Sequence, residues 1–102
     1  MTKDQAQILL SQLGGSQFVA MTGAKNFIYD STGLRFKIGR NSKGITHVNI
    51  GLNWRDTYDL EFMKVRQKDG IPKITSMVFV GDVYCDGLQD VFTNNTGLYT
   101  HL

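Results

Sequence analysis

The spacing of apolar residues changes twice along the chain, from a helical period to a strand period and back. The first segment begins with a capping-box pair, Thr2 and Gln5, and runs to two adjacent glycines, Gly14 and Gly15. Between these points the apolar residues recur at the helical spacing i, i+3, i+4 and i+7: Ala6, Leu9, Leu10 and Leu13. We therefore predict an amphipathic helix that ends at the glycines.

A sheet is predicted from residue 16 to residue 80, where the period falls to two and short β-rich runs alternate with turn residues. The links between the runs are short, and a parallel crossover needs about a dozen residues, so neighbouring strands should pair antiparallel. Six strands are expected: Gln17–Met21, Asn26–Asp30, Leu34–Ile38, Ile45–Leu52, Tyr58–Arg66 and Lys73–Val80.

The fifth of these runs reverses its alternation. Leu60 and Phe62 share one parity, whereas the next apolar residues, Met63 and Val65, have the other. A β-bulge near Phe62–Met63 would explain the reversal. Such a bulge would turn outward the two cations that follow it: Lys64 and Arg66.

The helical period returns after Gly81. Asp82 is the predicted N-cap, and the helix is expected to end within residues 94–97. Its apolar stripe consists of Tyr84, Leu88, Val91 and Phe92. The last residues, 98–102, should dock as a short apolar tail. The chain is thus predicted to form a single α+β domain over residues 1–102. Its antiparallel meander of five to six strands carries an N-terminal and a C-terminal helix on one sheet face.

Composition narrows the class of protein. Of 102 residues, 41 % are apolar and 20 % are charged, which is typical of a globular domain. Cys85 is the single cysteine, so an internal disulfide framework is excluded, and with His47 and His101 it is too small a set for a structural zinc site. A single cysteine fits a reducing cytosol best, so we expect a cytoplasmic protein; no signal-peptide core and no membrane-spanning apolar run is recognised in the sequence.

The cations are concentrated in the middle of the chain. Ten of the eleven Lys and Arg residues lie within residues 24–73, although the net charge is only +2. A shared surface that binds DNA or RNA phosphates is one interpretation, and a solvated sheet face that opposes aggregation is the other. The cations expected on that surface are Arg35, Lys37, Arg40, Lys43, Lys64 and Arg66.

A second candidate for binding lies in the connection between the fourth and fifth predicted strands. Trp54 and Arg55 are adjacent there. Tryptophan and arginine are enriched in binding hot spots, so the pair is a candidate interface anchor.

Signals for catalysis are few. Asp56, Asp59 and Glu61 could hold Mg²⁺ in a nuclease, but carboxylates on a solvated strand are also explained by pairing with nearby cations. Cys85 adjoins an apolar helical stripe, where cysteine usually acts as a small buried hydrophobe. The run Thr22–Lys25 lacks the first glycine and the final hydroxyl residue of a phosphate-binding loop. We predict no catalytic residue, no metal ligand and no cofactor.

Three segments together resemble a known family. They are LGGSQFVAMTGAKNF at 13–27, DTYDLEF at 56–62 and VYCDGLQDVFTNNTGLYTHL at 83–102. In this order they are similar to small hypothetical proteins of tailed bacteriophages and bacterial mobile elements. The resemblance runs over nearly the whole chain, but that family has no assigned activity, so it implies a biological context and transfers no functional residue.

That context implies a non-enzymatic accessory protein in the cytoplasm of a bacterial host. The expected mode of action is non-covalent binding to a host or phage protein, such as inhibition of a nucleoprotein complex of a defence system. Two alternatives stay open: direct binding of DNA or RNA through the basic sheet face, and a metal-dependent nuclease. Unpaired sheet edges also leave a homodimer open.

Overall fold

Five antiparallel strands form a single meander in which spatial order follows chain order. The structure, a computed structural model, describes residues 1–100. The strands are β1 (Lys25–Asp30), β2 (Gly33–Lys37), β3 (His47–Leu52), β4 (Tyr58–Lys68) and β5 (Ile71–Val83). The helices are α1 (Lys3–Leu13), α2 (Gly15–Thr22) and α3 (Leu88–Thr96), with a short 3-10 helix (Cys85–Gly87) before α3. The predicted α+β fold, with helices at both ends of the chain and an antiparallel sheet between them, is confirmed.

Helix α1 begins at the predicted capping box. The Gln5 backbone N–H donates to Thr2 Oγ1 at 3.2 Å, and the Thr2 backbone N–H donates to Gln5 Oε1 at 2.9 Å. Two backbone donors at the helix start are thereby satisfied. The helix ends at Gly14, whose φ of 129° is accessible to glycine and costly for other residues.

The predicted strand Gln17–Met21 is wrong, because these residues belong to helix α2. Phe18 and Thr22, four residues apart, lie on one helical face and are both buried. The Thr22 hydroxyl also donates to the Phe18 carbonyl at 2.7 Å. A short apolar run is compatible with either period, and packing of Phe18 into the core decides for the helix.

The predicted bulge at Phe62–Met63 is also wrong. Strands β3 and β4 pair without interruption across this point, with Val48 opposite Phe62 and His47 opposite Met63. The register shifts lie in the pairing of β4 with β5, where the extra residues belong to β5. The alternation of side chains along β4 therefore continues unchanged. Lys64 and Arg66 point to the same side of the sheet as Phe62.

The predicted N-cap at Asp82 is wrong as well. Strand β5 continues to Val83, which pairs with Tyr58, and Asp82 lies within it with a φ of 55°. The helical turn begins only at Cys85. The predicted end of the last helix is confirmed, since α3 closes at Gly97 with a left-handed φ of 77°.

The core lies between one face of the sheet and the helices. Its centre is an aromatic cluster in which the Phe18 ring contacts those of Phe36 and Phe92, at centroid distances of 5.8 Å and 5.1 Å. The tail packs partly against this core at Leu98, and Thr100 is buried. Residues 101 and 102, the end of the predicted tail, lie outside the described residues. None of the helices in residues 1–100 has the length and apolar content that a membrane crossing requires.

Candidate binding surface

A hollow of about 680 Å³ lies on the sheet face opposite the core, and we call it the open-face hollow. Each of the five strands contributes to its lining, and within residues 1–100 no helix or loop residue does. Its apolar lining consists of Ile28, Met63, Val65, Ile74 and Met77. Its polar lining consists of Asn26, Arg35, Lys37, His47, Asn49 and Glu61, and Phe36 completes the wall.

Strand register explains why these side chains meet. Residues directly opposite each other in antiparallel strands point to the same face. Met63 is opposite both His47 and Met77, so these three form one cross-strand row. Arg35, Asn49 and Glu61 form the adjacent row in the same way.

Two cations on one side of the hollow, Arg35 and Lys37, form no salt bridge. Within residues 1–100 the single salt bridge joins Arg55 to Asp82, so neither Arg35 nor Lys37 is paired. The pKa of His47 lies below its ordinary value, first because the imidazole is partly buried and then because Lys37 and Arg35 are nearby. The same two cations would attract an anionic group.

Asn49 leaves a polar atom unsatisfied beneath this surface. Its side chain is 6 % exposed, and its amide Nδ2 donates to Glu61 Oε1 at 3.2 Å. The other amide atom, Oδ1, is buried without a hydrogen-bond partner. A buried acceptor without a donor typically costs about 1–3 kcal/mol.

The six predicted surface cations do not share one face. Arg35 and Lys37 line the open-face hollow. Lys64 and Arg66 have the opposite parity, and the Lys64 Cε lies 3.5 Å from the position that a Cβ on Gly44 would take. Lys64 therefore lies beside the β2–β3 connection, the segment that carries the remaining two cations: Arg40 and Lys43. The six cations that the sequence predicted on one surface therefore lie in two separate groups.

Trp54 and Arg55 occupy a preformed turn between β3 and β4. Trp54 is 86 % exposed, and the Arg55 guanidinium lies 4.9 Å from its ring centroid. Asn53 Oδ1 accepts hydrogen bonds from the backbone N–H groups of Arg55, at 2.9 Å, and Thr57, at 3.2 Å. Arg55 Nη1 also contacts Asp82 Oδ2 at 3.4 Å. The turn therefore presents a large aromatic side chain with little remaining backbone freedom.

The candidate magnesium ligands engage separate partners. Asp59 Oδ1 accepts from the backbone N–H of Asp82 at 3.0 Å, and Glu61 accepts from Asn49. Asp56 lies in the β3–β4 turn with a φ of 60°. No three His, Cys, Asp or Glu residues of the described chain are grouped in a way that could hold a metal ion.

Cys85 and His47 do not form a nucleophile and base pair. Cys85 is exposed and begins the 3-10 helix, which packs near α1 and α3. His47 opens onto the opposite side of the sheet. The other histidine, His101, lies outside the described residues.

Sequence reasoning missed the apolar residues that form the hollow. The predicted bulge at Phe62–Met63 places Met63 and Val65 on the packed face, whereas both line the hollow. Two successive apolar residues in a strand can instead indicate that both sheet faces carry apolar surface. The strand partners Ile74 and Met77 needed the register of β5, which two shifts obscure.

No family model matches this chain, and neither a curated protein nor a solved structure matches it.

Proposed function

We propose that this protein acts without catalysis, by binding a protein partner through the open-face hollow. The observation that carries the proposal is the composition of the hollow, an apolar lining beside two unpaired cations, Arg35 and Lys37. Protein interfaces typically combine an apolar centre with a charged rim that selects the partner. The complementary partner presents apolar side chains next to a carboxylate.

The resemblance to proteins of tailed bacteriophages and mobile elements supports a host or phage protein as this partner. A protein of a nucleoprotein defence complex is the specific case that we favour, encountered in the bacterial cytoplasm. A subunit of such a complex that carries an acidic surface segment would complement Arg35 and Lys37 in the hollow.

Direct binding of nucleic acid receives less support from the geometry. Tracking a phosphate backbone needs several cations along one groove. The described face offers Arg35 and Lys37, while Lys64 and Arg66 have the opposite strand parity. The nuclease alternative receives no support either, because Asp59 and Glu61 engage separate partners and residues 1–100 contain no group of three side chains that could hold a metal ion.

Two charge-reversal variants provide a matched test. Arg35→Glu/Lys37→Glu alters the hollow, and Lys64→Glu/Arg66→Glu makes the same change of net charge elsewhere. Immobilised wild-type protein and both variants are incubated with nuclease-treated bacterial lysate, and the bound proteins are quantified by mass spectrometry. We expect a partner that is retained by the second variant and lost by the first.

Two results would contradict the proposal. One is a set of bound proteins that both variants lose or keep equally. The other is salt-sensitive binding to DNA or RNA in fluorescence anisotropy, abolished by Arg35→Glu/Lys37→Glu, with no protein retained. That second result would establish the nucleic-acid alternative instead.

A further inference from the structure

Strands β4 and β5 extend beyond the rest of the sheet as a two-stranded hairpin. The pairing of β3 with β4 reaches Met63, whereas β4 and β5 stay paired as far as Lys68 and Ile71. The Asp-Gly pair between these two residues has φ values of 56° and 78°, and positive values at both positions are typical of a tight β-hairpin turn. We call residues 64–76 the hairpin ribbon. All residues from 66 to 76 are exposed.

One face of the hairpin ribbon is cationic. Lys64, Arg66 and Lys68 occupy every second position of β4, so their side chains point to the same side of the sheet. Lys73 is opposite Arg66 in β5 and points to that side as well. At a rise of about 3.3 Å per residue, the row of cations along β4 is about 13 Å long. All of these cations except Lys64 are exposed.

The charges on this face are not compensated within the described part of the chain. Arg66 and Lys73 are directly opposite each other, and like charges in this position destabilise an antiparallel pair. The single salt bridge of residues 1–100 joins Arg55 to Asp82, so no carboxylate there pairs with a cation of the ribbon. Asp69, in the turn, is the one anionic residue of the ribbon. A polyanion bound to this face would relieve the repulsion between the two strands.

The shape of the ribbon favours one polyanion over others. The major groove of B-form DNA is about 12 Å wide and admits a two-stranded β-ribbon. The major groove of an RNA duplex is deep and too narrow for side chains to read. At the tip of the ribbon, Ile71 is 67 % exposed and lies opposite Lys68. An apolar side chain there can contact the thymine methyl group, which DNA presents in its major groove.

We propose that the hairpin ribbon binds duplex DNA by entering the major groove, with its cationic face against the phosphates. This binding extends beyond the proposed function and does not depend on it. The open-face hollow offers Arg35 and Lys37 to a polyanion, whereas the ribbon offers a row of cations. The other face of the ribbon carries Val65 and Ile74, which line the hollow. A protein partner and DNA would therefore contact opposite faces of the sheet.

Charge reversal at one position separates DNA binding from folding. Lys73→Glu replaces the repulsion with Arg66 by attraction, so we expect an unchanged or higher midpoint of thermal unfolding. Lys3→Glu, at an exposed position of α1, makes the same change of net charge and is the matched control. Fluorescence anisotropy with a labelled DNA duplex of roughly 20 base pairs, about two helical turns, measures the affinity. We expect Lys73→Glu to weaken binding at least about tenfold and Lys3→Glu to stay within about twofold of wild type.

The salt dependence of the affinity counts the phosphate contacts. Contacts to about four phosphates predict a slope of about −3.6 for the logarithm of the binding constant against that of salt concentration. The wild-type affinity should therefore fall roughly a hundredfold between about 50 mM and 200 mM salt. Lys73→Glu should make the slope shallower by about 1–2, whereas Arg35→Glu/Lys37→Glu should keep the wild-type slope. The second variant thus separates a failure of this proposal from a failure of the proposed function.

Two further measurements test the groove. An RNA duplex of the same sequence should bind at least about tenfold more weakly than the DNA duplex. Bound DNA should be protected from methylation by dimethyl sulfate at guanine N7, an atom of the major groove. The proposal is overturned if wild-type protein does not bind duplex DNA, or if Lys73→Glu and Lys3→Glu have equal effects. Unprotected guanine N7, or equal affinity for the RNA duplex or for phosphatidylglycerol vesicles, would overturn it as well.

Discussion

Asn49 donates its side-chain amide to Glu61 at 3.2 Å, while its own Oδ1 stays buried and unpartnered. The two residues face each other across β3 and β4 in the open-face hollow. Stability alone would favour an apolar residue at position 49, since the unsatisfied acceptor lowers the stability of the fold. Asn49 therefore carries a cost to stability that its hydrogen bond to Glu61 offsets only in part.

Replacing Asn49 tests this cost. Asn49→Leu removes the orphan acceptor at similar volume, so we expect a change between neutral and about 1 kcal/mol more stable. Asn49→Asp places a carboxylate beside Glu61 and should destabilise by about 1–3 kcal/mol. Urea unfolding with unchanged m-values measures both effects. A loss above about 2 kcal/mol for Asn49→Leu would mean that Oδ1 has a partner in solution.

The His47 pKa is lowered first by burial of the imidazole and then by the nearby cations Lys37 and Arg35. Because the folded-state pKa lies below the ordinary value of 6.5, the unfolded chain binds the proton more readily. The contribution of His47 to stability is therefore fully present above pH 6.5 and is lost as pH falls through the folded pKa. An NMR titration should give a His47 pKa below 6.5 in wild type and a higher one in Arg35→Glu/Lys37→Glu. Equal values in the two proteins would contradict the role of these cations.

Helix α2 contributes strongly to the core through Phe18. The ring is fully buried between those of Phe36 and Phe92. Phe18→Ala should therefore destabilise by about 3–5 kcal/mol, as the loss of a buried aromatic side chain typically does. Gln17→Ala, at an exposed neighbouring position, is the control and should change the free energy of unfolding by less than about 0.5 kcal/mol. Equal effects in thermal unfolding would contradict the burial of Phe18 between the two rings.

The close approach of strands β2 and β3 requires a glycine at position 33. Its φ is 134°, and a Cβ at this position would collide with the Ile50 carbonyl oxygen. Gly33→Ala should destabilise by more than about 3 kcal/mol, because both the backbone conformation and the β2–β3 pairing must change. Gly70 has a φ of 78° with open space around it, so Gly70→Ala should cost only about 1–2 kcal/mol. Similar midpoints in urea for both variants would contradict this close approach.

Trp54 is the single tryptophan and reports on its own turn. Its exposure predicts red-shifted emission and efficient quenching by acrylamide. The ion pair between Arg55 and Asp82 is solvent-exposed, so Arg55→Ala should lower stability by at most about 1 kcal/mol. Emission typical of a buried indole would contradict the exposed position of the Trp54 side chain.

The sequence pattern predicted correctly those parts of the fold that depend on residues close together in the chain. The Thr2 and Gln5 cap needs only one helical turn, and the short links were enough to indicate antiparallel strands. The segment Gln17–Met21 is too short for its period to be decisive, so contact of Phe18 with distant aromatic rings determined its helical structure. Local pattern is a weak guide where tertiary packing decides.

The candidate site was predicted only in part for a related reason. Arg35 and Lys37 were assigned to the outer face correctly, because β2 alternates cleanly. The prediction for Lys64 is wrong because a bulge, once inferred, moves every later side chain of the strand to the other sheet face. The true shifts lie on β5 and follow from its pairing with β4, which no local pattern encodes.

The most direct test of the open-face hollow is the dissociation constant of the captured partner, measured with purified proteins by isothermal titration calorimetry. We predict that Arg35→Glu/Lys37→Glu weakens binding by at least about tenfold, while Lys64→Glu/Arg66→Glu stays within about twofold of wild type. Equal weakening by the two variants would show that net charge, and not the hollow, determines the interaction, and would contradict the proposed function.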